Sequence, residues 1–364
     1  MKYILLLNLL LTANSYSQDL DDCFKVFNSK QFKKLIVDGD GPTSASIKSV
    51  TKKGYNYLNE SVEKWFKRDN VSRSQKCLSC HTTLPYMLLG AADNVLTQKN
   101  YIRELVKKRT DNFKRDGFVE ADNLPWYDLD KSYSTETVLN ASAIVMPERI
   151  NGGRAALSDL AQDTYDLMWK RQNTDGSFSW LDQFGLRPHE SQNSGYWGTS
   201  MAGVMGGMVE TQATAQLKKT YSYLKREFDN QSTHNKLFGL WANAEAGADS
   251  FLSPSKVDEF MDAIKAKQNP DGGWSADFIL GTGNTDTDAY ATSIIAYVLK
   301  TAKKEIPNES RLRHLLVKKF KENSGSIGGR NMSGAAVANS PNGISTSDFF
   351  SDMATSYGLM YLNK

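Results

Sequence analysis

The chain has 364 residues, 44 basic against 41 acidic, with a formal net charge of +3, 9 prolines and 3 cysteines. A near-neutral balance, with Lys218, Lys219 and Lys225 falling on a helical stretch, reads as solvated surface and gives no case for a nucleic-acid partner. Scarce proline and the absence of a low-complexity linker favour one continuous architecture.

The chain opens with MKYILLLNLLLTANSYS, Met1 to Ser17. One lysine precedes a short apolar run, and small polar residues follow. That is the layout of a secretory signal peptide, too short to span a bilayer, which needs roughly 20 apolar residues. It predicts a periplasmic or secreted protein, with no membrane span once the signal is removed. Residues 18–47 read as an N-terminal extension and 48–364 as one helical domain. Three cysteines, Cys23, Cys77 and Cys80, are an odd number for an exported chain, so simple pairing is not expected.

From residue 48 onward two kinds of helical segment alternate. The amphipathic kind lies near 48–66, 98–115, 155–172 and 212–228, then at Val257, Phe260, Met261 and Ile264, and at Leu312, Leu315, Leu316 and Phe320. Apolar residues at i, i+3, i+4 and i+7 give one buried stripe. Ser253 and Pro254 supply an N-cap and a first-turn proline. The second kind is apolar nearly all round, as in Ala289 to Leu299. Its relatives begin at Thr82, Thr135, Gly198, Lys236 and Ala354, and Thr-Ser steps recur at 199–200, 292–293 and 355–356. Repeats of this kind bury their faces only against neighbours. Six outer and inner pairs predict an all-α fold, a single closed α/α toroid, with an open solenoid as the alternative.

Two junctions repeat within this pattern. They are Gln172-Asn-Thr-Asp-Gly-Ser-Phe178 and Gln268-Asn-Pro-Asp-Gly-Gly-Trp274. Proline fixes φ and glycine accepts positive φ, so both segments are turns, with the glutamine and the aromatic ring fixing them to the helix ends. They resemble the QW repeats of the terpenoid-cyclase and protein-prenyltransferase toroid superfamily. The resemblance implies the toroid fold and leaves the chemistry open. Asp286-Thr287-Asp288-Ala289 departs from that superfamily's D-x-D-D motif at Ala289. The zinc site of prenyltransferases needs a cysteine that no position beyond Cys80 supplies.

Cys77-Leu78-Ser79-Cys80-His81 is the sharpest signal. Two cysteines three apart on a helical turn can reach both vinyl groups of one porphyrin edge, and the adjacent histidine can ligate iron. The segment resembles the c-type cytochrome attachment site at all three fixed positions. It implies one covalent haem c, anchored by Cys77 and Cys80 and ligated by His81. A disulfide and a zinc site are the alternatives, although zinc wants four ligands. The motif precedes an inner helix, as the Asp175 and Asp271 turns do, which predicts a haem at the rim where inner helices begin. His189, His234 and Met353 are candidates for the sixth iron ligand, with a vacant position as the other option. Met87 reads as core and His314 as solvated.

Polar residues also gather before inner helices: Trp126, Tyr127, Asp128, Glu136, Glu190, Asp286, Asp288, Asp348 and Asp352. A polar rim over an apolar-walled cavity suits a ligand site. Glu136, Glu190, Asp286, Asp288 and Tyr127 are therefore candidate catalytic residues, although each acid also suits an N-cap. The expected function is electron transfer, or a redox step on an apolar or terpenoid-like ligand in the cavity, with a redox protein as partner. One alternative is a secreted lyase or cyclase; a lyase would draw on Tyr127, Asn140, His189 and Arg187. The other is a non-enzymatic binding scaffold.

Overall fold

The computed structural model of the protein describes residues 41–67, 78–90, 95–116, 128–153, 155–182, 188–189, 191, 193–323, 325–328 and 346–364. The signal segment 1–17 and residues 18–40, Cys23 included, lie outside the described residues. The fold is all-α, as expected. Its helices are α1 (Ser44–Phe66), α2 (Thr83–Leu88), α3 (Lys99–Asp116), α4 (Leu129–Gly152), α5 (Asp159–Trp169), α6 (Ser194–Val209) and α7 (Ala215–Glu227). They continue as α8 (Thr233–Glu245), α9 (Pro254–Ala266), α10 (Ala276–Leu280), α11 (Ala289–Thr301), α12 (Glu309–Glu322) and α13 (Thr346–Leu362). Two strands of two residues, β1 (Trp274–Ser275) and β2 (Thr287–Asp288), pair antiparallel.

The amphipathic segments become α1, α3, α5, α7, α9 and α12. Most begin at a side-chain cap. Thr43, Ser158, Thr214 and Ser253 each accept a hydrogen bond from the backbone three residues on, which satisfies a donor the helix start leaves open. The helix of Ser44 starts a little before the boundary drawn at 48. The apolar segments become α2, α4, α6, α8, α11 and α13. Eleven of the thirteen residues of α11 are buried, from Ala289 to Leu299. The segment at Thr135 lies inside a longer helix that carries Pro147 near its end.

The apolar helices are neighbours in chain order. α2 packs on α4, α4 on α6, α6 on α8, α8 on α11, and α11 on α13; α13 then packs back on α2 and on α1. The Thr-Ser steps explain part of this regularity. Thr199 Oγ1 accepts from Phe178 N (3.1 Å), and Thr292 Oγ1 accepts from Trp274 N (3.0 Å). Thr355 Oγ1 accepts from Ile327 N (2.9 Å) in the same way. A turn is thereby pinned to the inner helix that follows it, in its first two turns at Thr292 and Thr199 and near its middle at Thr355.

Gln172 ties its turn to the next outer helix, and Gln268 ties its turn to the segment just before α12. Gln172 Nε2 donates to Gln216 O and Thr220 Oγ1, both at 2.9 Å. Gln268 Nε2 donates to Pro307 O (2.7 Å) and Gly272 O (2.9 Å). Gly176 (φ +92°) and Gly272 (φ +94°) take the conformation that only glycine adopts without strain. A third turn that sequence reading passed over has Gly325 at φ +112°, and a Cβ there would sit 2.7 Å from the carbonyl of Lys53 in α1. The last turn thus rests on the first helix.

Between the inner helices the space is filled. Trp197, Trp241, Tyr290, Tyr297, Tyr357 and Phe238 are fully buried. Trp241 stands on Tyr297 (5.3 Å between ring centres) and Tyr297 on Tyr357 (5.5 Å). Burying such rings contributes roughly 2 kcal/mol or more apiece. Among the described residues this packing takes the place of the expected apolar-walled cavity. A groove of about 340 Å³ lies elsewhere, between α5 and α7, lined by Tyr165, Trp169, Glu210 and Gln216 among others. No helix among the described residues is long and apolar enough to cross a membrane.

Candidate metal centre

Ser79 organises the turn that carries the cysteine–histidine motif. Its Oγ accepts from the backbone N–H of His81 and of Thr82, both at 3.1 Å. Its own N–H donates to Thr83 Oγ1 at 2.7 Å, and its carbonyl accepts from Leu84 N at 2.9 Å. These bonds fix the turn that leads into α2, whose N-cap residue Thr82 makes no side-chain capping bond. Held this way, Cys80 Sγ stands 3.4 Å from His81 Nδ1, and both residues are buried. Cys77 lies outside the described residues.

His189 reaches the same place from another repeat. Its backbone is fixed: Trp180 Nε1 donates to His189 O (2.7 Å), and Ser194 Oγ donates to Pro188 O (2.9 Å). Gly198 makes room for this, because a Cβ there would collide with the Trp180 ring. The His189 ring meets that of His81 edge-on at 5.0 Å and that of Trp197 at 4.3 Å. One ligand atom each of Cys80, His81 and His189 lies within 4.8 Å of the others. Atoms sharing one metal at about 2.0–2.3 Å each sit up to about 4 Å apart, so these three are close to that spacing.

The side chain of His189 is 1 % exposed, and neither ring nitrogen has a hydrogen-bond partner. A buried polar group left this way costs about 1–3 kcal/mol. Trp197 Nε1 beside it is unpartnered too. Cys80 and His81 pair with each other, whereas His189 and Trp197 keep buried polar atoms that nothing satisfies, a condition that suits an occupant.

His234 is different, although its ring lies 5.3 Å from that of His189. Asn235 Nδ2 donates to Asn193 O (2.8 Å) and Gln231 Oε1 (3.0 Å), so Asn235 Oδ1 faces His234 Nδ1 at 3.2 Å. An amide oxygen only accepts, so Nδ1 carries the proton. Nε2 then accepts from the Tyr290 hydroxyl at 2.8 Å. Both nitrogens are used, which removes His234 from the set of available ligands.

All three imidazoles are held neutral. Burial drives the pKa of His81 down to about 3 and that of His234 to about 4. Burial and the two neighbouring imidazoles push His189 well below the usual range. A neutral imidazole has a lone pair to offer a metal. Phe349, with its ring 5.0 Å from that of His81, closes the site on another side.

The candidate acids do not join this cluster. Glu136 is buried but pairs with Arg109 of α3, whose Nη2 donates to Oε2 at 2.6 Å. Asp288 caps α11, its Oδ1 accepting from Ala291 N at 2.8 Å, and Asp286 is exposed. Glu190, Tyr127, Trp126 and Arg187 lie outside the described residues. Met87 and Met353 are buried core residues. His314 lies on the outer helix α12, its Nδ1 3.1 Å from Ser310 O. Tyr290 and Trp197 carried no sequence signal, since each reads as one more apolar position of an inner helix. A comparison with protein-family models finds no match, and neither does a comparison with curated proteins.

Proposed function

We propose that the chain is a single α/α toroid that carries one covalent c-type haem and transfers single electrons outside the cytoplasm. The observation that carries this reading is His189, a buried neutral imidazole with two unsatisfied nitrogens beside the Cys-x-x-Cys-His motif. The toroid is supported by the cyclic packing of the six inner helices and by the last turn resting on α1. The segment Met1 to Ser17 supports export, and bacterial c-type haem is attached outside the cytoplasm.

Cys77 and Cys80 would hold the porphyrin through thioethers, and His81 and His189 would be the iron ligands. When bound, the group supplies an iron that alternates between ferric and ferrous states. The chain's residues do the rest. Ser79 and Thr83 orient His81, Trp180 fixes His189, and Phe349, Trp197 and Tyr290 keep water out. With both histidines on the iron, electron transfer would be favoured over turnover of a small ligand. The candidate acids are then structural: Glu136 as the partner of Arg109, Asp288 as an N-cap.

The test is expression of the full chain in a host with haem-attachment machinery. Peroxidase staining that survives denaturation, a pyridine haemochrome spectrum of the thioether type, and loss of both in Cys77→Ala/Cys80→Ala are expected. A colourless protein holding a bare transition metal on Cys80, His81 and His189, or a Cys77–Cys80 disulfide, would overturn the haem reading.

A further inference from the structure

Cys80, His81 and His189 come from two different repeats and meet in one place, and all three are buried. Among the described residues no other group of three histidine, cysteine or acidic side chains comes close enough to share a metal ion. Three atoms in a plane around a metal at about 2.0–2.3 Å lie about 3.5–4 Å from one another. Cys80 Sγ and His81 Nδ1, 3.4 Å apart, already stand at that separation. The other separations, all within 4.8 Å, close with a side-chain shift of about 1 Å. His189 gives up no hydrogen bond in making it, because neither of its nitrogens has a partner.

The donors narrow the choice of ion. A thiolate with two imidazoles selects copper(I) or zinc over harder ions such as magnesium or calcium. Zinc wants four ligands, and the described residues supply three. Copper(I) is satisfied by three in a plane. The rings of Trp197 and Phe349 pack on those of His189 and His81, at 4.3 Å and 5.0 Å, and leave little room for water as a fourth ligand. One thiolate and one copper(I) also sum to no net charge, so the ligands and ion together are buried without a charge penalty.

We infer that the haem-free chain holds one copper(I) ion on Cys80, His81 and His189. On binding, the Cys80 thiol releases its proton to solvent and its sulfur takes the copper instead. No electron moves in this step. A porphyrin between the two histidines would need their rings, 5.0 Å apart, to part, whereas a bare ion fits between them with the small shift described. The inference therefore concerns the chain without haem and does not rest on the haem reading above.

The experiment uses the full chain from a host without haem-attachment machinery, reduced and kept from oxygen. It is titrated with copper(I) against the competing chelator bicinchoninate. One copper per chain is expected. X-ray absorption should show a three-coordinate copper(I) with one sulfur and two nitrogens. His189→Leu should weaken binding at least about tenfold and leave a two-coordinate ion. Cys77→Ser should hold copper as the wild type does. Two sulfurs on the copper, or binding lost in Cys77→Ser and kept in His189→Leu, would put the ion on the cysteine pair and overturn the inference. So would a chain that binds no copper. The absorption measurement needs only the wild type, so it decides the matter even where a variant fails to fold. Haem attachment is tested in a different host, and its failure leaves this site standing.

Discussion

Two kinds of connection lead into the inner helices, and they differ in what they leave undone. The turns at Gly176 and Gly272 are complete. Their backbone bonds close on themselves, from Gly176 N to Asn173 O and from Gly272 N to Asn269 O, and their glutamines reach the next outer helix or the segment just before it. The stretches Ser79–His81 and Pro188–His189 are equally well fixed along the backbone, yet the second delivers a side chain whose two ring nitrogens have no hydrogen-bond partner. The shared part is architecture: its glutamines, threonines and turn amides are hydrogen-bonded. The unshared part sets a buried, unsatisfied imidazole on rigid backbone, an arrangement that suits a ligand atom.

The largest expected difference is in response to acid. In the haem-free protein, His81 and His234 have pKa values lowered to about 3 and about 4, against about 6.5 unfolded. Below pH 6.5 the unfolded chain binds more protons, so stability is full above that pH and falls as pH drops. Each group removes roughly 1.4 kcal/mol per pH unit. Asp352, raised to about 6, works the other way and returns about 1 kcal/mol by pH 5. Urea midpoints should therefore show a net loss of at least about 3 kcal/mol between pH 7.5 and pH 5, since His189, also lowered by burial, adds to it. A flat profile would mean that the histidines are open to water.

The turns can be broken directly. Gly176→Ala forces a residue at φ +92° and drives a Cβ into the carbonyl of Lys219. A loss of about 3 kcal/mol is expected in urea or thermal unfolding. Gly247→Ala is the control, since its φ is +57° but no atom lies within 4 Å of the new Cβ. Its cost should stay near 1 kcal/mol. Equal losses at both sites would show that the turn does not press on α7.

Much of this division was legible in the residues. The 3.6 periodicity of Val257, Phe260 and Ile264 marked an outer helix, and the run from Ala289 to Leu299 marked an inner one. The third turn was missed because Lys321 and Ile327 stand where the other two have glutamine and an aromatic ring. Only its geometry, Gly325 against Lys53, identifies it. The motif at Cys80 and His81 was visible because its chemistry is local. His189 could be proposed from its place before an inner helix. Its choice over His234 could not be read, since that depends on Asn235, Gln231 and Tyr290 meeting across repeats. The acids misled because an N-cap and a catalytic carboxylate look alike in sequence. Asp288 and Glu136 are told apart from catalysts only by what they bond.

The same logic orders two substitutions at the rim. Tyr290→Phe removes the hydroxyl that donates to His234 Nε2 and leaves a buried nitrogen unpaired, so haem-free protein should lose about 1–2 kcal/mol. His189→Leu should have the smallest effect and the reverse sign. Removing both unpartnered nitrogens at once takes away a desolvation penalty without stranding a partner, so haem-free stability should hold or rise by about 1 kcal/mol. The haem-loaded protein should respond in the opposite sense: His189→Leu opens an iron position, and carbon monoxide should bind the reduced variant far faster than wild type. A residue whose loss helps the empty fold and harms the loaded one is kept for its ligand. If His189→Leu instead destabilises the empty protein as much as Tyr290→Phe does, His189 belongs with the satisfied architecture of the turns, and the boundary between the two kinds of connection has been drawn in the wrong place.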